Sequence, residues 1–274
     1  MKRGRVIGVD LGGTNLRAGL IDKNRIIKFI KIRTLSNKNS LLKALEDVIK
    51  EVFDINIIGI GIGSPGPLKD GVLMNPPNIP LRNFDLKKFF QKKFNIRCEV
   101  ENDAKCVALA ELNFGCGKGK KNFYILTLGT GIGGGVIIEG KLYNKGDFGG
   151  ELGNIYLDNG KTFESLASGG EIKRRSLNVF KKELDASDLM KLNDRKARDI
   201  IEDITESLAR GIGSLINVFN PEIVVLAGGM REAGDKFLDL IRKKAEKYIF
   251  LPGKYEIVWS KLEEPGILGA SLLL

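Results

Sequence analysis

Two short turns set glycine beside threonine at the end of an apolar strand: Gly12-Gly13-Thr14 after Arg5 to Val9, and Gly129-Thr130-Gly131 after Phe123 to Leu128. Glycines in a strand-to-strand turn let backbone N–H groups converge on an anion, and a neighbouring threonine hydroxyl adds a donor. One such turn is as readily a plain hairpin; two in the same strand context point to phosphates. Gly228-Gly229, following Ile223 to Ala227, offers either a further close backbone approach for a nucleotide or a simple turn before a helix. The chain has no G-x-x-x-x-G-K-[ST], so a P-loop is not the device.

Carboxylates stand near these turns. Asp10 ends the first strand, where it would repel phosphate oxygens unless a cation intervened. Magnesium, bound through one or two carboxylates, waters and phosphates, resolves that conflict; an Asp closing the turn is the alternative. Asn102-Asp103 lies where a strand meets a helix N-terminus, which favours a carboxylate and equally an ordinary cap. Glu151, within Gly149-Gly150-Glu151-Leu152-Gly153, and Glu164, within Phe163-Glu164-Ser165, are placed either to accept hydrogen bonds from vicinal hydroxyls or to sit in solvated loops. Histidine is absent, which excludes histidine metal ligands, Ser-His-Asp triads and imidazole proton shuttles. Acid-base work falls to carboxylates, lysine or tyrosine.

The elements that must position these groups form two similar series. Arg5 to Val9, Arg17 to Ile21 and Arg25 to Ile32 read as strands, and Leu41 to Phe53 as an amphipathic helix capped by Ser40 or a nearby Asn. Ile57 to Ile62 is a buried strand, and Gly63 to Pro80, with its five prolines, an irregular passage. A helix capped by Asp85, a strand Ile96 to Glu101 and a helix from Asp103 to about Asn113 follow, with Gly115 to Gly119 as linker. Phe123 to Leu128, Gly135 to Glu139 and Lys141 to Tyr143 repeat the opening. The remainder is mainly helical: Ala186 to Lys191, Arg195 to Phe219 and Asp235 to Ile249, with strands Ile223 to Ala227 and Glu256 to Trp259, and an apolar terminal helix Gly266 to Leu274. Two α/β lobes are expected, 1–113 and 114–263, with 264–274 returning to the first.

Composition bounds the remaining classes. At 274 residues, 43% hydrophobic and 28% charged, the chain has the balance of a globular protein. The net charge of +10 comes from dispersed lysine and arginine clusters, which read as a solvated surface or as an anion-attracting field. The three cysteines, Cys98, Cys106 and Cys116, show no C-x-x-C spacing and indicate neither a disulfide framework nor a zinc site, which favours a reducing cytoplasm. No signal peptide, membrane span or nucleic-acid partner is expected.

The set VDLGGTNLR at 9–17, GSPGP at 63–67, NIP at 78–80, ENDA at 101–104, LGTGIGGG at 128–135, GELG at 150–153, ESLASG at 164–169 and LAGG at 226–229 resembles the ROK family of sugar kinases and sugar-responsive repressors, in order over nearly the whole chain. The resemblance implies an α/β, two-lobed actin and hexokinase-like ATPase fold with ribonuclease H-like lobes and a cleft between them. It implies ATP-dependent phosphorylation of a hexose at O6, with Mg2+ at Asp10 and the protein as a homodimer. By position Asp103 matches the catalytic base, and Asn78, Asn102, Glu151 and Glu164 match sugar ligands, with Ser64 and Gly66 in the loop bordering the sugar. Gly12, Gly13, Thr14, Thr130 and Gly131 fall in the phosphate turns, and Gly228 and Gly229 in the adenosine-side motif.

The chain also departs from the pattern. The family carries a histidine after Glu-x-Gly and a cysteine-rich loop that together bind zinc. Here Asn154 holds the histidine position and 155–163 has no cysteine, so no zinc site and a shortened loop are expected. That histidine also meets the sugar in relatives, so Asn154 bears on substrate identity. An N-acylhexosamine, such as N-acetylglucosamine or N-acetylmannosamine, is the alternative acceptor. A sugar-responsive regulator is the alternative class, although the first phosphate strand begins too early in this sequence for a preceding DNA-binding domain.

Overall fold

The computed structural model describes residues 4–144 and 148–274, and the chain separates into two compact units. Unit 1 comprises Met1–Gly115, Leu142–Gly149 and Leu262–Leu274; unit 2 comprises Cys116–Lys141 and Gly150–Lys261.

Unit 1 is built on strands β1 (Arg5–Leu11), β2 (Asn15–Asp22), β3 (Arg25–Arg33), β4 (Ile57–Ser64) and β5 (Cys98–Asn102), in the order β3-β2-β1-β4-β5. The first three form an antiparallel meander, and β1, β4 and β5 run parallel. Alternating apolar residues on the strands meet helix α1 (Lys38–Glu51), which buries Leu41, Leu45, Val48 and Ile49 at helical spacing. Each such side chain contributes about 1.5–3 kcal/mol when fully buried. The cap of α1 is Asn37, whose side chain accepts from the N–H groups of Asn39 and Ser40. The proline-rich passage is less irregular than its composition suggests. Leu68–Lys69 and Val72–Leu73 pair with Phe84–Asp85 in a small three-stranded sheet. Asp85 then caps α2 (Leu86–Phe94), and α3 (Asp103–Phe114) follows β5 directly.

The terminal helix Pro265–Ser271 lies on β1, β4 and α3. Backbone meets backbone there: a side chain at Gly61 would begin 1.8 Å from the carbonyl oxygen of Ala270.

Unit 2 repeats the plan with β6 (Phe123–Leu128), β7 (Ile132–Ile138), β8 (Lys141–Leu142), β9 (Ile223–Ala227) and β10 (Ile257–Trp259), ordered β8-β7-β6-β9-β10. Again β6 and β7 are antiparallel, while β6, β9 and β10 are parallel. The glycines at 133–135 are strand rather than turn, paired with Thr127, Leu126 and Ile125. Pairing outweighs their low strand preference because Leu152 packs over Gly134 where a side chain would otherwise stand.

The core of unit 2 gathers around α7 (Arg195–Phe219), whose Ile200, Ile204, Leu208, Ile212 and Leu215 form one buried stripe. Helix α8 (Gly234–Ala245) ends earlier than expected, in a 3-10 turn at Glu246–Tyr248. Helices α4 (Phe163–Ala167), α5 (Gly169–Phe180) and α6 (Ala186–Lys191) lead into α7.

No helix among the described residues is long and apolar enough to cross a membrane.

Candidate active site

In unit 1 the chemistry-bearing residues collect at the carboxyl ends of the parallel strands, where open α/β sheets bind ligands. The register aligns Asp10 on β1 with Gly63 on β4, and Gly63 in turn with Glu101 on β5; one step on, Ser64 stands beside Asn102. Asp10 Oδ2 accepts from Arg17 Nη1 at 2.8 Å across the β1–β2 hairpin. Burial pushes the Asp10 carboxyl up, and the Arg17 guanidinium only partly offsets this. Glu264 Oε2 lies 3.5 Å from Arg17 Nε, and burial raises its carboxyl as well.

The turn itself is closed by the Gly12 N–H donating to Asn15 O at 2.9 Å, with Gly13 and Thr14 exposed at its tip. The Thr34 hydroxyl donates to Gly12 O at 2.6 Å, and its N–H to Thr14 O at 3.0 Å. Asn78 packs on Gly13, in the left-handed conformation (φ 64°) that asparagine tolerates.

Asn102 and Asp103 divide the duties that the sequence left open between them. Asn102 caps α3, its side chain accepting from the Lys105 N–H at 3.1 Å, while Asp103 is the first helical residue and accepts from the Ala104 N–H at 2.8 Å. Ser64 is fully buried, with its hydroxyl 3.4 Å from Pro65 O, so it shapes the loop that continues through Gly66. A hollow of about 500 Å³ beside Asn78 is lined by Ser36, Asn75, Arg82 and the neighbouring prolines.

In unit 2 the second turn is closed by the Gly129 N–H donating to Gly131 O at 3.0 Å, with Thr130 exposed. Glu164 braces it: Oε2 accepts from the Ile132 N–H at 2.8 Å, and a side chain at Gly131 would begin 2.2 Å from that oxygen. The first residues of α5 hold the other side, Gly169 and Gly170 donating to the carbonyls of Gly129 and Thr130 at 2.8 and 3.0 Å. Gly228 (φ 96°) and Gly229 follow β9 beside β6, where Ala227 pairs with Thr127. Beyond them is a hollow of about 290 Å³ lined in part by Ser187, Met190, Glu232 and Gly234. Glu151 and Asn154 are exposed, and Asn154 Nδ2 donates to Glu151 Oε2 at 3.3 Å.

Asp10 has one oxygen held by Arg17, with Glu264 beside the same guanidinium, and among the described residues no group of three or more Cys, Asp or Glu is placed to hold a metal ion. Such a donor set suits magnesium that arrives with a nucleotide and keeps phosphates and water as most of its ligands.

The ROK family model matches residues 6–274 of the chain. The chain belongs to the ROK family. It is 34% identical to the glucokinase of Thermotoga maritima, over 100% of this chain and 98% of that protein. The ROK hexokinase of Thermus thermophilus superposes with a TM-score of 0.84 at 30% identity, covering 98% of this chain and 97% of that one. A ROK family glucokinase from Streptomyces griseus, solved with glucose and AMPPNP, gives 0.89 at 26% identity, covering 98% and 99%. The α/β fold is the hexokinase-like ATPase fold of these ROK structures.

In this ROK chain the segment after Asn154 is a two-stranded hairpin, Tyr156–Asp158 with Lys161–Thr162. It turns through Asn159 and Gly160, both at positive φ, the pairing that tight hairpins favour.

Arg17 and Glu101 lie in the quoted motifs with no role assigned to them, and Thr34, Lys105 and Asn144 fall outside every motif. A polar residue at the end of β3 gives Thr34 no local signal. Lysine within the apolar run of α3 was the available clue to the group Glu101, Lys105 and Asn144.

Proposed function

We propose that this ATP-dependent sugar kinase transfers the γ-phosphoryl group of ATP to the primary hydroxyl, O6, of a hexose, with Asp103 as general base. One observation carries the assignment of the base: Asp103 stands at the carboxyl end of the parallel strands as the first residue of α3, where Asn102 supplies the cap and the Asp103 carboxylate accepts the Ala104 N–H. The Asp103 carboxylate would take the O6 proton as the oxygen attacks phosphorus, a contribution of roughly 10²- to 10⁴-fold.

Asn78, Asn102, Glu151 and Glu164 are assigned to the sugar hydroxyls, with Asn154 orienting Glu151. The turns at Gly12–Thr14 and Gly129–Gly131 are assigned to the phosphates, and Gly228-Gly229 with the adjoining hollow at Met190 to the nucleoside. Magnesium bound with the nucleotide at Asp10 would supply neutralisation of phosphate charge. Fixed backbone donors need no reorganisation as charge develops on the transferring group, the larger share of catalysis in this chemistry.

The test is Asp103→Asn. Turnover should fall by roughly 10²- to 10⁴-fold, with the thermal midpoint and calorimetric sugar binding retained; near-normal turnover overturns the assignment. A parallel panel of glucose, mannose and their N-acetylated amines identifies the acceptor. Preference for the amides would replace the hexose with an N-acylhexosamine.

A further inference from the structure

We infer that Lys105 and Asn144 are positioning residues that fix the direction of the Asp103 carboxylate, an inference that rests on Asp103 being the base.

Lys105 is 2% exposed on a helix whose other buried positions are Ala104, Cys106, Val107, Ala108, Ala110 and Glu111. Burying an ammonium carries a large desolvation penalty, and a well-packed apolar residue of the same volume is often no worse for stability. Packing of α3 alone therefore gives no reason for lysine here. What the ammonium does is specific. Lys105 Nζ donates to Asn144 Oδ1 and lies 3.9 Å from Glu101 Oε1. Asn144 Nδ2 donates to Glu101 Oε2 at 2.9 Å, and Glu101 Oε1 accepts from the Asn102 N–H at 2.8 Å. The Asn102 side chain accepts from the Lys105 N–H, which closes the circuit.

Residues 101, 102 and 105 are thereby tied to one another and to Asn144, and Asp103 lies on the bridged stretch of chain. The backbone angles at the strand-to-helix junction, and with them the direction of the carboxylate, are held by the charged network of Glu101, Lys105 and Asn144. Asn144 comes from Leu142–Gly149, a segment of unit 1 whose sequence neighbours on both sides belong to unit 2.

The experiment compares Lys105→Met and Asn144→Ala with Asp103→Asn. Misplacing a reacting group by about 1 Å costs on the order of 10²-fold. Lys105→Met should therefore lower kcat by a factor approaching that while KM for sugar and for ATP stays within about threefold. Asn144→Ala should lower kcat less, and the double variant should be little worse than Lys105→Met, because both act through one circuit. Should Lys105→Met fail to fold, Asn144→Ala alone decides: kcat must fall at unchanged KM.

Wild-type kcat in a folded Lys105→Met or Asn144→Ala protein overturns the inference, as does a loss confined to KM or to thermal stability. Asp103→Asn separates the two claims. If it is inactive while the other variants turn over normally, the base stands and the positioning role falls; if it is active, the base assignment itself is wrong.

Discussion

Gly12–Thr14 and Gly129–Gly131 close the same hairpin in two sheets of the same order, yet they are braced by different means. The first turn is held from one side by Thr34, whose hydroxyl donates to Gly12 O and whose N–H donates to Thr14 O, and has an ion pair behind it, Asp10 with Arg17. The second is clamped on two sides, by the Glu164 carboxylate on the Ile132 N–H and by the start of α5 on two carbonyls. A repeated backbone thus carries divided chemistry. Under the proposed function, the turn beside the acid that would face a cation is braced from one side, and at the turn that would offer only backbone donors the Glu164 carboxylate is turned onto the Ile132 N–H.

The comparison breaks most readily at Gly131. A methyl group there meets Glu164 Oε2 and must dislodge it. A hydrogen bond to a charged group contributes about 1.5–3 kcal/mol, so Gly131→Ala should raise KM for ATP by roughly 10- to 100-fold. The matching Gly13→Ala meets the Asn78 side chain, its Cβ at 3.0 Å, breaks no hydrogen bond of the turn, and should cost several-fold less. Steady-state kinetics on both proteins decide; equal sensitivity would mean the two turns are held alike.

Asp10→Asn comes next. It keeps the shape beside the first turn and removes the charge, leaving Arg17 with Glu264 as its nearest acid. The Mg2+ concentration for half-maximal rate should rise, because magnesium held by one or two carboxylates loses one of them, with sugar affinity measured by calorimetry unchanged. An unaltered magnesium dependence would assign Asp10 to Arg17 alone.

The strand-and-turn order was legible because it depends on local rules. Apolar runs ending in Gly-Gly-Thr or Gly-Thr-Gly, and Asn102 before a helix, announce themselves within a few residues. The strand was expected to begin only at Gly135 rather than at Ile132, because only the packing of Leu152, 18 residues after Gly134, shows why glycine is wanted inside a strand. The bracing of the candidate site was hidden for the same reason: Thr34 lies 22 residues from Gly12, Glu164 lies 32 from Ile132 and Asn144 lies 39 from Lys105. By motif position Glu164 matches a family sugar ligand, and its grip on the Ile132 N–H could be seen only once both were in space.

The lightest brace gives the sharpest check on the comparison. Thr34→Val preserves shape at the end of β3 and deletes one hydroxyl, leaving the Thr34 N–H still donating to Thr14 O. A neutral hydrogen bond of this kind contributes about 0.5–1.5 kcal/mol net. The variant should therefore lose only a few degrees of thermal midpoint. If the turn tightens around phosphate when nucleotide binds, the ligand would supply the order that the hydroxyl no longer does, and saturating ATP should restore most of that loss through mass action. An equal loss with and without ATP would show that Thr34 holds β3 rather than the turn, and the first turn would then rest on its own backbone and the charge behind it.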